Sequence, residues 1–261
     1  MKILNKLFLI LLNSLKRNNF RIMFKKILKR LEFTNNSIEA LQWAKNNVNI
    51  STDNFCKKID EALFEKVKKD ITEIESKANL QIQNLDINLG GGGNYLLLYF
   101  LVRKFKPLNV VETGVAAGWT SLAILKALEL NDQGKLYSSD FPLFRLDSPE
   151  QYIGILVKDD KLKLRWHLDI SGDEISLPKF RNLLDSQKID LFHYDSDKSY
   201  SGREFALKTL EEKFADNCII IFDDIQNNLH FKDLVERTSA KFTIFEFHGK
   251  FVGLIGVQES I

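Results

Sequence analysis

LNVVETGVAAGWTSLAIL, residues 108–125, decides how the rest of the chain is read. LNVVE (108–112) is a short β-rich run, and Thr120–Leu130 predicts a helix. Between them lies Glu112-Thr113-Gly114-Val115-Ala116-Ala117-Gly118. Small residues between a strand and a helix let a ligand approach the backbone closely. The spacing is GxxxG, not the GxGxxG of a dinucleotide fingerprint. Asp140 ends the next β-rich run, KLYSSD (135–140), 28 residues after Glu112. An acid there suits a ribose diol, which needs a bidentate acceptor. The alternative for Asp140 is a helix cap or turn residue.

Outward from this stretch, strands and helices alternate. NYLLLYFLVRKF precedes it as a helix with an apolar face, and GGGG (90–93) precedes that. Four glycines suit no helix or strand interior; they make either a loop that hugs a ligand or a plain linker. Downstream, a helix is expected from about Ser148 to Val157 and a third strand at KLRWHL (163–168). IDLFHYD (189–195) is a fourth strand, Ser201–Phe214 a helix, and CIIIFDD (218–224) a fifth strand. The fifth is apolar until its end, as a strand buried on both faces reads. A helix at about Leu229–Thr238 and a hairpin of KFTIFEF and FVGLIGV close the chain. Five strands alternating with helices predict a parallel, doubly wound α/β sheet with ligands at the carboxyl ends of its strands.

Four acids stand at those ends: Asp195 and Asp197 after the fourth strand, Asp223 and Asp224 after the fifth. Carboxylates brought together repel one another unless a cation sits among them. Hard oxygen ligands point to Mg²⁺ or a similar divalent ion. Solvated turn residues are the alternative for Asp197 and Asp224. His193, inside the fourth strand, is more often a satisfied core histidine than a ligand. Trp119 and Trp166 either flank a ligand or pack in the core.

The 261-residue chain is 44% apolar and 28% charged, which excludes a disordered chain or a fibre. Cys56 and Cys218 stand far apart, so neither a disulfide framework nor a thiolate zinc site can be built, which fits the cytoplasm. Residues 1–33 carry nine Lys/Arg against Glu32 alone, a net +8 that leaves −6 for the remainder. The uncharged run there is too short to span a bilayer and lacks a signal-peptidase pattern. Leu4, Leu7, Leu11 and Leu15, then Phe20, Phe24, Ile27, Leu28 and Leu31, predict an amphipathic helical pair broken near Asn18-Asn19. It lies on an anionic membrane surface or packs on the domain or a partner subunit; both stay open, as does a homo-oligomer. Aliphatic residues between the charges argue against nucleic acid. Residues 34–89 read as a helical extension. They include SIEALQWAKNNV, with Ser37 as its cap, and a helix from about Asp53 to Ala78.

GGGGNYLLLYFLVRKFKPLNVVETGVAAGWTSLAIL, LYSSDFP, IDLFHYDSDKSYSG and IIIFDDI together resemble the class I S-adenosylmethionine-dependent methyltransferases. The nearest likeness is to small-molecule and sugar O-methyltransferases and cephalosporin-hydroxylase-like proteins. The resemblance covers roughly residues 90–225 of a domain at 90–261. It implies a mostly parallel seven-stranded sheet and methylation of a small-molecule or sugar hydroxyl. It also implies roles. Glu112, Gly114 and Gly118 receive the methionine part of S-adenosylmethionine, Thr120 its carboxylate, and Asp140 the ribose. Asp195, Asp223 and Asp224 would ligate the metal. Lys198, where many relatives have His, would be the base; a surface lysine paired with Asp195 or Asp197 is the alternative. A G-D-S-like adenine segment is expected after the third strand, where this chain reads Leu168-Asp169-Ile170-Ser171. Two rivals are a nicotinamide oxidoreductase and a non-catalytic protein on the same fold.

Overall fold

A computed structural model describes residues 8–13, 36–83, 85, 87, 89–142, 144 and 146–257. Seven strands form one sheet: β1 (Asn109–Thr113), β2 (Lys135–Ser139), β3 (Trp166–Asp169), β4 (Ile189–Tyr194), β5 (Phe214–Phe222), β6 (Phe242–Phe247) and β7 (Lys250–Ile255). Their order is β3-β2-β1-β4-β5-β7-β6, with β7 antiparallel to both neighbours and the rest parallel. This is the expected doubly wound sheet with its closing hairpin. The order reverses between β1 and β4, and a cleft opens at their carboxyl ends.

The helices are α1 (Ser37–Asn47), α2 (Thr52–Ile82), α3 (Tyr95–Phe105), α4 (Trp119–Asn131), α5 (Asp173–Leu183), α6 (Tyr200–Leu210) and α7 (His230–Thr238). Ser37 is the first helical residue of α1 rather than its cap; Asn36 holds that position without a side-chain bond. α2 starts on Ser51, whose hydroxyl accepts from Asn54 N. It kinks at Asp60 (φ −163°, ψ 91°). There the Asp60 carboxylate re-caps the second segment by accepting from Leu63 N at 3.0 Å and pairs with Lys104 at 2.9 Å.

Among the described residues, the extension shares the core of the sheet domain. Phe55, Phe64, Val67 and Ile71 of α2 pack in one cluster with Leu97 and Phe100 of α3, α4 residues and Phe245 of β6. The helix expected from Ser148 to Val157 is instead a 3₁₀ turn, Pro149–Tyr152, followed by an irregular stretch. Gly154 takes a left-handed φ of +67°, and a Cβ there would meet the Trp166 ring at 2.3 Å. The amides of Gly154 and Leu156 donate to Ala116 and Ala117 carbonyls, bonds that a continuous helix could not make. α5 was not expected. Pro178 sits inside it, and a proline reads as a helix breaker.

Of the arm at 1–33, only 8–13 lies within the described residues. It is helical, and buried Asn13 donates to the carbonyls of Phe144 (3.2 Å) and Leu146 (3.1 Å). The rest of the expected pair, including its break near Asn18-Asn19, lies outside them. Among the described residues no helix is long and apolar enough to cross a membrane.

Candidate active site

The cleft has two halves. One half begins where β1 ends. Gly114 has φ +83°, and a Cβ there would sit 2.1 Å from the Asp195 carbonyl oxygen, so only glycine fits. Gly118 caps α4 at φ +94°. Asp140, ending β2, turns its Oδ2 to Val115 N (3.0 Å) and Ala116 N (2.7 Å). It therefore shapes the glycine turn as well as lining the cleft. Thr120, at the start of α4, lines the same cleft. Glu112 does not. It is wholly buried under the turn, where its Oε2 accepts from Ser121 (2.6 Å) and Ser138 (2.8 Å).

After β3 it is the next four residues, beyond Leu168-Asp169-Ile170, that reach the cleft. Ser171, Gly172, Asp173 and Glu174 line the cleft, with Gly172-Asp173 opening α5. Asp173 accepts from Ser139 Oγ at 2.7 Å and from Ser196 Oγ, which ties β2 to the β4 end. Asp169 instead faces Lys179 at 2.6 Å. Burial would raise its carboxyl, but Lys179 and the Ser171 and Ser176 bonds outweigh that and hold it at about 2. A glycine-acid pair starting a helix was the signal available in the sequence. Trp119 belongs to the cleft wall and stacks on Tyr95 at 5.6 Å. Trp166 packs against Gly154 and does not line the cleft.

The other half lies at the ends of β4 and β5. Asp195 lines the cleft, and burial, with the Asp223 charge beside it, raises its carboxyl to about 7. Asp223 lies beneath the glycine loop: a Cβ on Gly93 would fall 1.8 Å from its Oδ2. That same oxygen is 3.1 Å from His193 Nε2. Asp224 turns to Lys198, to Lys250 at 3.6 Å and to Gln226 at 3.2 Å. Burial opposes its ionisation, yet Lys198 and Lys250 hold its carboxyl below the usual range. Arg203, buried within α6, donates to the carbonyls of Asp223 (3.0 Å) and Asp224 (2.9 Å). GGGG (90–93) is thus a cleft wall, with Gly91, Gly92 and Gly93 facing in.

These facts bear on the metal expectation. Adjacent strands do deliver Asp195, Asp223 and Asp224 to one edge, but the three carboxylates face different partners. Among the described residues no three His, Cys, Asp or Glu side chains are grouped to hold a metal ion. Both Asp224 oxygens are engaged, and on Asp223 only Oδ1 lacks a partner. The cations that let these acids coexist are the protein's own: His193, Lys198, Lys250 and Arg203. As arranged, the residues do not fit a divalent ion. Lys198 pairs with Asp224 rather than with Asp195 or Asp197, and it stands outside the cleft lining.

Residues 111–225 match the family described as methyltransferase domain. No curated protein matches the chain. Solved structures do. An O-methyltransferase from Bacillus cereus in complex with SAH is 15% identical, covering 71% of this chain and 91% of its own, with a TM-score of 0.55. An O-methyltransferase from Streptomyces achromogenes involved in tomaymycin synthesis, in complex with SAM, is also 15% identical. That match covers 71% and 90% of the two chains, at 0.55. A methyltransferase from Geobacter sulfurreducens is 16% identical, covering 71% and 89%, at 0.53.

Proposed function

Since the domain at residues 111–225 belongs to the class I S-adenosylmethionine-dependent methyltransferases, we propose that the protein methylates a hydroxyl group of a small molecule or sugar. The observation that carries this reading is one continuous cleft running from the glycine turn to the half-buried Asp195. When bound, S-adenosylmethionine supplies an electrophilic methyl group on a sulfonium centre. The residues fit it. The turn at Gly114–Gly118 presents bare backbone, and Thr120 offers a hydroxyl and a helix N-terminus to a carboxylate. Asp140 presents an acid to a ribose, and Ser171–Glu174 form the adenine-side wall.

At the other end the acceptor hydroxyl lies between Asp195 and the wall of Gly92, Gly93 and Trp119. Alignment there supplies much of the acceleration. Asp195 takes the proton that the acceptor hydroxyl loses as its oxygen gains the methyl group, whose bond to the sulfonium sulfur breaks to leave S-adenosylhomocysteine. A carboxyl near 7 is matched to that task at neutral pH. Lys198, expected as the base, instead donates to Asp224 and keeps that carboxylate ionised. The resemblance also implies a divalent-metal version of the reaction. It would require a metal to displace Lys198 and His193 from the acids they hold, so no step is assigned to it.

The test joins calorimetry with turnover. S-adenosylhomocysteine should bind and NAD should not. A panel of phenols and sugars should give at least one methyl ether, and activity should survive a strong chelator. NAD binding in place of S-adenosylhomocysteine would overturn the methyltransferase reading. Activity abolished by chelator and restored by Mg²⁺ would return the acids to a metal.

A further inference from the structure

Beneath the cleft floor, buried polar side chains cross the sheet from β3 to β5. Trp166 Nε1 donates to Ser138 Oγ at 2.8 Å, and Ser138 Oγ donates to Glu112 Oε2 at 2.8 Å. Glu112 Oε1 lies 3.8 Å from His193 Nδ1, an ion-pair distance rather than a hydrogen bond. His193 Nε2 lies 3.1 Å from Asp223 Oδ2. Strand register accounts for the row, because Glu112 pairs with Ser138 on one side and with His193 on the other. Glu112, Ser138 and His193 are wholly inaccessible, and Asp223 is nearly so.

An unpaired carboxylate in such a core is costly, and removing the partner of a buried pair leaves that cost exposed. His193 is the group that faces both Glu112 and Asp223. None of the three lines the cleft, yet each end of the row lies under one half of it. Glu112 is in the strand that launches the glycine turn. Asp223 fills the space that a Cβ on Gly93 would need, so its side-chain position and the Gly91–Gly93 wall are mutually fixed. Asp223 also stands next to Asp195, whose carboxyl feels its charge.

We propose that His193 is a positioning residue for methyl transfer: by holding Asp223 beneath Gly93 and beside Asp195, it fixes the acceptor end of the cleft. Glu112 anchors the imidazole from the side of the cofactor turn. The inference rests on the reading of the cleft as a methyltransferase site. It assigns His193 no contact with either substrate. Its effect passes through Asp223 to the wall and to the acid that takes the proton. A satisfied core histidine would do none of this.

The test compares His193→Gln with His193→Leu in the full-length protein. Glutamine retains a donor for Asp223, whereas leucine does not. S-adenosylhomocysteine affinity should stay within threefold of wild type in both. The kcat/KM for the acceptor should fall about tenfold in the glutamine variant and about a hundredfold in the leucine variant. Hydrogen exchange should speed up tenfold or more at residues 91–95 and stay unchanged at 114–118. If His193→Leu does not fold, Asp223→Asn, which keeps the shape of the side chain, should give the same exchange pattern. Equal losses in both histidine variants, or losses matched by weaker S-adenosylhomocysteine binding, would overturn the proposal in favour of a general packing role. Wild-type protein that binds no S-adenosylhomocysteine would sink the methyltransferase reading. The exchange comparison would still decide whether His193 holds the Gly91–Gly93 wall, and unchanged exchange there would reject that role.

Discussion

The two halves of the cleft are built from different materials. The cofactor half is a matter of backbone. Gly114 N donates to Ser139 O at 2.8 Å, and the Val115 and Ala116 amides converge on one Asp140 oxygen. The acceptor half is a matter of charge: His193 faces the Asp223 carboxylate, Lys198 and Lys250 face that of Asp224, and Arg203 donates to the backbone carbonyls of both. Backbone geometry is set by neighbours in the chain. A charge network is set by whatever the fold brings near. The first half should therefore fail through binding and the second through turnover.

The largest separation of the halves is expected from Asp195→Asn. Turnover should drop by roughly 10²–10⁴, the range for removing a general base, while S-adenosylhomocysteine affinity holds. In the wild type, kcat/KM should rise with pH through about 7, because Asp195 must be ionised to accept a proton. Stability should run the other way. A carboxyl raised above its unfolded value loses stability as pH climbs from about 4 to about 7, so Asp195→Asn should melt higher than wild type at pH 8. A variant that keeps full turnover would move the base elsewhere.

Next in size is Gly114→Ala. Its left-handed backbone and the 2.1 Å clash with Asp195 O should cost about 3 kcal/mol in thermal or denaturant unfolding. This change would disturb both halves, because the turn touches the backbone of the acid behind it. Asp140→Ala should weaken S-adenosylhomocysteine by about 1.5–3 kcal/mol in calorimetry, since it loses a charged acceptor and frees two loop amides. Turnover at saturating cofactor should change less than affinity does. The smallest effect is expected from Lys198→Met. A half-exposed ion pair contributes below about 1 kcal/mol, so kcat should fall only a few-fold. A hundredfold loss, partly recovered at high pH, would restore Lys198 as the base.

The same division explains what the sequence disclosed. β1, β4 and β5 were legible because their apolar runs suit strands buried in a parallel sheet, and β2 because KLYSS (135–139) lies between the two helical stretches and ends at Asp140. Gly114, Asp140 and Asp195 were legible as cleft residues because each directly follows a strand, and Thr120 because it opens the helix after the glycine turn. Glu112 was placed one layer too high: being inside the strand, it points into the core and not into the loop. α5 was hidden by Pro178, and the 148–157 segment misled because Gly154 bends it onto Trp166. The partners of the acids were not legible. Lys250 comes from β7, 26 residues beyond Asp224, and no local pattern joins them. Without those cations in view, converging carboxylates imply a metal; with them, the charges are met from within.

One earlier feature bears on how the chain is made. Val48 forms a parallel bridge with Ile244, Phe55 meets Phe245 at 5.0 Å, and Trp43 meets Phe242 at 5.5 Å. Residues 43–55 thus find their partners nearly two hundred positions later, at 242–245. Until β6 is synthesised, Phe55 and Trp43 have no β6 side chains to pack against, and the loop closing those contacts spans nearly the whole domain. Contacts of such long range slow folding and lengthen the exposure of apolar surface. The β6–β7 hairpin is therefore the clasp that joins two distant stretches of chain, while α2 keeps its packing on α3 and α4 without it.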